Sequence, residues 1–190
     1  MKWESEGFLL SKRKFRENAN IINVFTSKYG KMGGIVYGAN SRKIRNYLQI
    51  SNKLFVFNNS KNDNKIGYFK AELIKAISPN YFNDKERTSA LISLCSLLNT
   101  LLPESQPYKT IYKSFDEFIN ALNLENWIVL YIFFEINLIK ELGFDTNLNF
   151  FDNSADDIYS LKKIKIDEYN YEVPIFLIKQ EIPENITKIL

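Results

Sequence analysis

Residues able to do covalent chemistry are few in this sequence, and none stands in a catalytic pattern. The chain of 190 residues has no histidine and one cysteine, Cys95. That excludes intramolecular disulfides, Cys/His zinc sites and any reaction that needs an imidazole base. Carboxylate-only or Mg²⁺ chemistry stays open. The adjacent acids Asp116-Glu117 and Asp156-Asp157, however, point in different directions on a strand or a helix. They read as solvated surface rather than as a catalytic pair. Gly30, Gly33, Gly34 and Gly38 make no phosphate loop, because no Lys-Ser/Thr follows at the required place and no helix is expected to open there. They read as turns and barrel bends. Cys95 falls among Leu91, Leu94 and Leu98 with nothing to activate it, and reads as core. No enzyme activity, cofactor or bound metal is expected.

What remains is a basic constellation. Residues 1–75 hold 15 Lys/Arg against 5 Asp/Glu, a net of +10, while residues 76–190 hold 10 against 17, a net of −7. Coding bias would enrich lysine in both halves, so the split points to a basic half that meets a polyanion. Lys12, Arg13, Lys14 and Arg16 crowd one turn with Phe15 among them, Lys28 sits in the next turn, and Arg42, Lys43 and Arg45 fill a later segment. Cations of this kind neutralise phosphates, and aromatic side chains beside them stack on bases. Phe15, Tyr37 and Tyr47 are the rings best placed to stack, with core packing the bland alternative for each.

The elements that must carry these residues are legible. Apolar or β-branched runs at 7–11, 21–26, 32–37, 54–57 and 66–74, separated by polar and glycine-rich turns, predict five short strands. With one longer interruption after the third, they fit a small barrel of OB type, and an SH3-like barrel fits the count nearly as well. A helix is predicted from a cap at Asn83 or Asp84, with Leu91, Leu94, Leu98 and Leu101 at helical spacing, to Pro103. A second begins at Pro107 and carries Ile111, Phe115, Phe118, Ile119 and Leu122. A third, from about Glu125 to Leu142, closes at Gly143 and is apolar nearly all round, as a buried central helix would be. Two strands, 158–166 and 171–178, end the chain. The class is α+β in two domains: an OB barrel over residues 1–76, and over 80–190 a helical domain with a hairpin-like C-terminal segment.

The ordered set of short motifs adds a resemblance. Trp3-Glu4-Ser5-Glu6-Gly7-Phe8-Leu9-Leu10-Ser11, Glu17-Asn18 before Val24-Phe25-Thr26, Tyr29-Gly30-Lys31, Gly38-Ala39-Asn40-Ser41-Arg42 and Leu48-Gln49 stand in order. Leu101-Leu102-Pro103-Glu104, the Trp127 segment with Phe134-Glu135, and Glu141-Leu142-Gly143-Phe144 follow. Over residues 3 to 150 this resembles the RecO family of recombination mediators. The resemblance implies an OB domain followed by a helical domain, and a role without catalysis: binding single- and double-stranded DNA and annealing complementary strands. The partners it implies are RecR and RecF, with RecA loaded onto DNA coated by single-stranded DNA-binding protein (SSB). It places the family's basic hairpin on Lys12 to Arg16 and its Gly-Ala-Arg-rich segment on Gly38 to Arg45. Two departures stand out. Residues 145–190 lack the cysteine cluster that binds zinc in many relatives, and the chain ends soon after Pro174-Ile175-Phe176-Leu177. The family's closing helix is therefore expected to be absent, and contacts that need it, such as that to the SSB tail, are not carried over.

Two other readings of the basic half stay open on the residues alone. One is a generic OB module for single-stranded nucleic acid; the other is an adaptor whose basic face docks an acidic protein. The N-terminus, with Glu4 and Glu6 before a short apolar run, does not read as a signal peptide. The apolar stretch from Trp127 to Ile139 covers 13 positions and includes Glu135 and Asn137, too short and too polar for a bilayer. A soluble protein of a reducing compartment is expected, cytoplasmic and associated with the nucleoid.

Overall fold

A computed structural model describes residues 2–39, 41–59 and 66–143, together with the backbone of two strands at 161–166 and 169–174. The basic half is a closed barrel. Strand β1 (Lys2–Arg16) pairs with β2 (Ala19–Thr26), and β2 pairs with β3 (Gly30–Tyr37). β4 (Lys53–Asn59) closes back on β1, and β5 (Gly67–Lys75) joins β4 antiparallel and β3 parallel. The order β1-β2-β3-β5-β4 is the Greek-key closure of an OB fold and settles the choice that strand count left open. Two local expectations are corrected. Lys12 to Arg16 are not a turn. They are the last third of β1, because Lys12, Arg13 and Lys14 lie opposite Ile22, Ile21 and Asn20 in the ladder. After Gly38, where no helix was expected, a short helix α1 (Arg42–Tyr47) opens with Ser41 Oγ accepting from the Ile44 N–H.

The barrel interior collects Trp3, Leu9, Ile22, Val24, Val36, Leu48, Leu54, Val56 and Phe69. Gly34 is needed there, since a Cβ at this position would lie 2.4 Å from the Phe69 ring. Phe8 and Phe25 are opposite each other in the ladder and fully buried, yet they are not part of that interior. Their rings instead lie 5.4 Å from Tyr112 on the outer side of the strands. This explains why Phe8-Leu9-Leu10 is a continuous apolar run: the strand is covered on both faces.

Helix α2 (Lys85–Leu101) packs on β1. Its last turn is fastened to the barrel by two side chains. Lys31 donates to the Asn99 carbonyl at 2.7 Å, and the Asn23 amide donates to Asn99 Oδ1 at 2.8 Å. Lys31 is 8% exposed and places its positive charge where the helix dipole is negative. Residues 1–113 accordingly form one compact unit and residues 114–190 a second.

Of the two candidate caps, Asp84 starts α2. Its carboxylate accepts from the Arg87 N–H at 3.0 Å and from the Arg87 guanidinium at 2.6 Å. The backbone bond first and the guanidinium second hold its carboxyl below the usual range. A carboxylate depressed in the folded state stabilises above its unfolded pKa, about 3.9, and loses that contribution as pH falls through the folded value. Asp84→Ala is therefore expected to melt at a lower temperature than the parent at pH 7, with the gap narrowing below about pH 4. Paired thermal melts across pH check this, and a gap independent of pH would contradict it.

Helix α3 (Lys109–Ala121) begins in the first unit, and α4 (Trp127–Glu141) lies in the second. There the Phe134 ring lies 5.5 Å from Phe115 and 6.2 Å from Phe118. α4 buries Trp127, Val129, Ile132, Phe133, Phe134 and Leu138. Its composition predicts burial all round, and the structure corrects this: Ile128 and Ile139 are each 38% exposed. Gly143, at φ +81°, makes the expected left-handed stop. β6 (Leu161–Ile166) and β7 (Tyr169–Pro174) form an antiparallel pair. The predicted extensions to 158 and 178 lie outside the described residues. Among the described residues no helix is long and apolar enough to cross a membrane.

Candidate nucleic-acid interface

Strand alternation sorts the basic residues of β1 onto two sides. Lys12 and Lys14 share register rows with Ile22 and with Asn20–Val36; Ile22 and Val36 face the interior. These two lysines thus line the barrel end over which α1 lies, with Ile44 and Tyr47 packed against the interior cluster. Lys12 is half-buried and donates to the Leu48 carbonyl, just past α1, at 2.6 Å. Burial, and after it the positive charge of Arg45, hold the Lys12 ammonium below its ordinary range. Lys12 is thereby a structural tie as well as a charge, and Arg45 lies close enough to repel it. Lys14, Arg42, Lys43 and Arg45 are exposed.

The other side of β1 looks outward. Arg13 shares a register row with Ile21, Ile35 and Tyr68, and Arg16 shares one with Ala19 and Tyr37. Ala19, Ile21 and Ile35 form a small buried cluster of their own. Tyr37 and Tyr68 are 50% and 49% exposed, with ring centroids 5.5 Å apart and planes tilted by 33°. Phe15, 43% exposed, sits at the bulge between Lys14 and Arg16 with the Arg16 guanidinium 5.2 Å from its ring centre. The Gly38 N–H donates to the Asn18 carbonyl at 2.8 Å, holding the β1–β2 turn against the end of β3.

Two of the residues singled out from sequence do not contribute to this exposed surface, Lys28 by its position and Tyr47 by its burial. Lys28 is in the β2–β3 turn, at the far end of strands that run seven residue steps from Ala19 to Thr26, about 23 Å at strand rise. Its ammonium lies 5.2 Å from the Tyr29 ring centre. Tyr47 is half-buried, and its hydroxyl donates to the Ala71 carbonyl at 2.8 Å, so its ring belongs to the barrel packing. Conversely, Tyr68 was not singled out. The alternation Tyr68, Lys70 against Phe69, Ala71 was its only signal, and that does not tell which side faces out until β5 is paired.

Cys95 is fully buried, and burial pushes its thiol up to about 12, so it is no nucleophile. Among the described residues no group of three acidic, Cys or His side chains is placed to hold a metal ion.

Comparison with known proteins agrees with this picture of a barrel and a helical region. The family model described as recombination protein O N terminal matches residues 1–77, and that described as recombination protein O C terminal matches residues 83–150. Proteins called DNA repair protein RecO are similar in sequence. The one from Wolbachia sp. subsp. Drosophila simulans is 31% identical over 151 residues, covering 78% of this chain and 62% of its own. That of Ehrlichia chaffeensis is 32% identical, covering 78% and 61%, and that of Cereibacter sphaeroides is 32% identical, covering 78% and 62%. This chain thus spans about three-fifths of the length of the curated relatives it matches. With both halves matched in order, and with the OB barrel leading into helices, the chain belongs to the RecO family of DNA repair proteins.

Proposed function

We propose that this protein serves homologous recombination as a DNA-binding mediator in the cytoplasm, on the nucleoid. It holds single- and double-stranded DNA through the phosphates and anneals complementary strands. With RecR- and RecF-type partners it helps place recombinase on strands coated by SSB. Residues 1–76 bind the DNA, residues from 80 onward form the helical domain, and no covalent bond is made or broken. The observation that carries this reading is the gathering of Lys14, Arg42, Lys43 and Arg45 at one end of the barrel while Arg13 and Arg16 turn to its outer side. Two bare strands repel each other through their phosphates. Cations that point in two directions can hold one strand each and lower that repulsion, which is what annealing requires.

The test is annealing of complementary oligonucleotides, bare and SSB-coated, followed by fluorescence with and without the protein. Faster annealing that fades with added salt is the expected result. Binding to DNA without acceleration would reduce the protein to a passive binder. Absence of any salt-sensitive DNA binding would point instead to an adaptor for an acidic protein.

A further inference from the structure

We infer that Tyr37 and Tyr68 form a stacking platform for unpaired nucleobases, and that this platform sets a preference for single strands over duplex. The inference rests on the DNA-binding reading above and deepens it. The two rings come from different strands, the end of β3 and the start of β5, which run parallel here with Ile35 opposite Tyr68. They meet at 5.5 Å on the outer surface, each about half exposed. Under and beside them lie Ala19, Ile21 and Ile35, 1%, 8% and 8% exposed. These apolar residues share register rows with Tyr37, Tyr68, Arg13 and Arg16. An apolar floor, two half-exposed rings on one side of it and Arg13 and Arg16 on β1 at the other suit a flat apolar face joined to a phosphate.

The physics separates this surface from the cationic barrel end. Phosphates are offered by single strands and by duplex alike, so Lys14, Arg42, Lys43 and Arg45 discriminate little between them. A base inside a duplex is already stacked on both sides, whereas an unpaired base has a free face for an aromatic ring. The preference for single strands must then follow the rings and not the charges. Tyr47, the other tyrosine named from the sequence as able to stack, takes no part because its hydroxyl and ring are held in the barrel.

The experiment compares the full chain with its Tyr37→Ala/Tyr68→Ala and Tyr37→Phe/Tyr68→Phe variants. Fluorescence anisotropy is measured with an oligothymidine and with a duplex bearing the same number of phosphates. The alanine variant is expected to lose about tenfold or more in affinity for the single strand, the range of one or two lost stacking contacts. Its affinity for duplex and its salt slope are expected to stay as in the parent, and the phenylalanine variant is expected to retain both affinities. Equal losses on the two DNAs, or no loss on either, would overturn the platform. A parent protein that binds neither DNA would instead defeat the DNA-binding reading itself. Should the alanine variant fail to fold by circular dichroism, photocrosslinking of the unaltered protein to a strand carrying 5-iodouracil decides. Adducts mapped to Tyr37 or Tyr68 support the platform, and adducts found only elsewhere overturn it.

Discussion

Phe8→Ala is expected to lower the free energy of unfolding by about 3–5 kcal/mol, the range for a large aromatic truncated in a core. Phe15→Ala, on the same strand, is expected to stay within about 0.5 kcal/mol, as exposed sites do. Residue type and strand are shared, and the two sites differ chiefly in burial. The Phe8 ring is fully buried, 5.4 Å from Tyr112 and with the Lys53 ammonium 5.3 Å from its centre. Truncation there removes contacts to both elements and leaves a void that a β-strand cannot close. Phe15 is 43% exposed at a bulge, and its removal leaves no void. Urea unfolding followed by circular dichroism measures both. A loss below about 1 kcal/mol for Phe8→Ala would mean that the outer face of β1 is not a core.

Replacing Arg42, Lys43 and Arg45 together with Ala is expected to flatten the dependence of log affinity on log salt by about two units for single strands, at about 0.7 ions per phosphate contact. The parent slope is expected near −3.5, for about five contacts at that value. All three side chains are exposed on α1, whose buried anchor is Leu48 just beyond it, so the fold is expected to survive. Preference among base compositions should not move, because phosphate contacts carry little sequence information. Anisotropy across a salt series reads both quantities. An unchanged slope in a folded variant would place the phosphate contacts away from α1. A corresponding change at Lys28 alone is expected to alter the slope little, since the β2–β3 turn lies at the opposite end of the strands from α1.

Local pattern carried the strands and the long helices. Ile21-Ile22-Asn23-Val24-Phe25-Thr26 is β-branched and aromatic and forms β2, and Leu91, Leu94 and Leu98 recur at helical spacing and are buried in α2. What sequence could not give depends on partners far along the chain. Strand runs alone do not distinguish an OB barrel from an SH3-like one, because the difference is the pairing of β3 with β5, set by Ile35 opposite Tyr68. Helix α1 has only six residues and too short an apolar repeat to register. The run from Lys12 to Arg16 is polar and carries no strand signal of its own, yet its backbone is held by Ile21 and Ile22 across the ladder. The candidate site was legible as a set of charges but not as a geometry. Alternation splits Lys14 from Arg13, the Ala71 carbonyl claims Tyr47, and Tyr68 gains its role only when β5 finds β3.

The burial of Phe8 and Phe25 against Tyr112 bears on how the molecule can be dissected. The N-terminal family match stops at residue 77, before α2 and before Tyr112. A fragment cut there would bare two phenylalanines and leave Lys31 without the Asn99 carbonyl that receives it, a surface prone to self-association. A fragment that keeps this cover must run at least through Tyr112, close to Lys113 where the first compact unit ends. Exchanging barrels between relatives would for the same reason require moving α2 and the first turn of α3 along with the strands, so the unit of inheritance by shuffling is longer than the barrel itself.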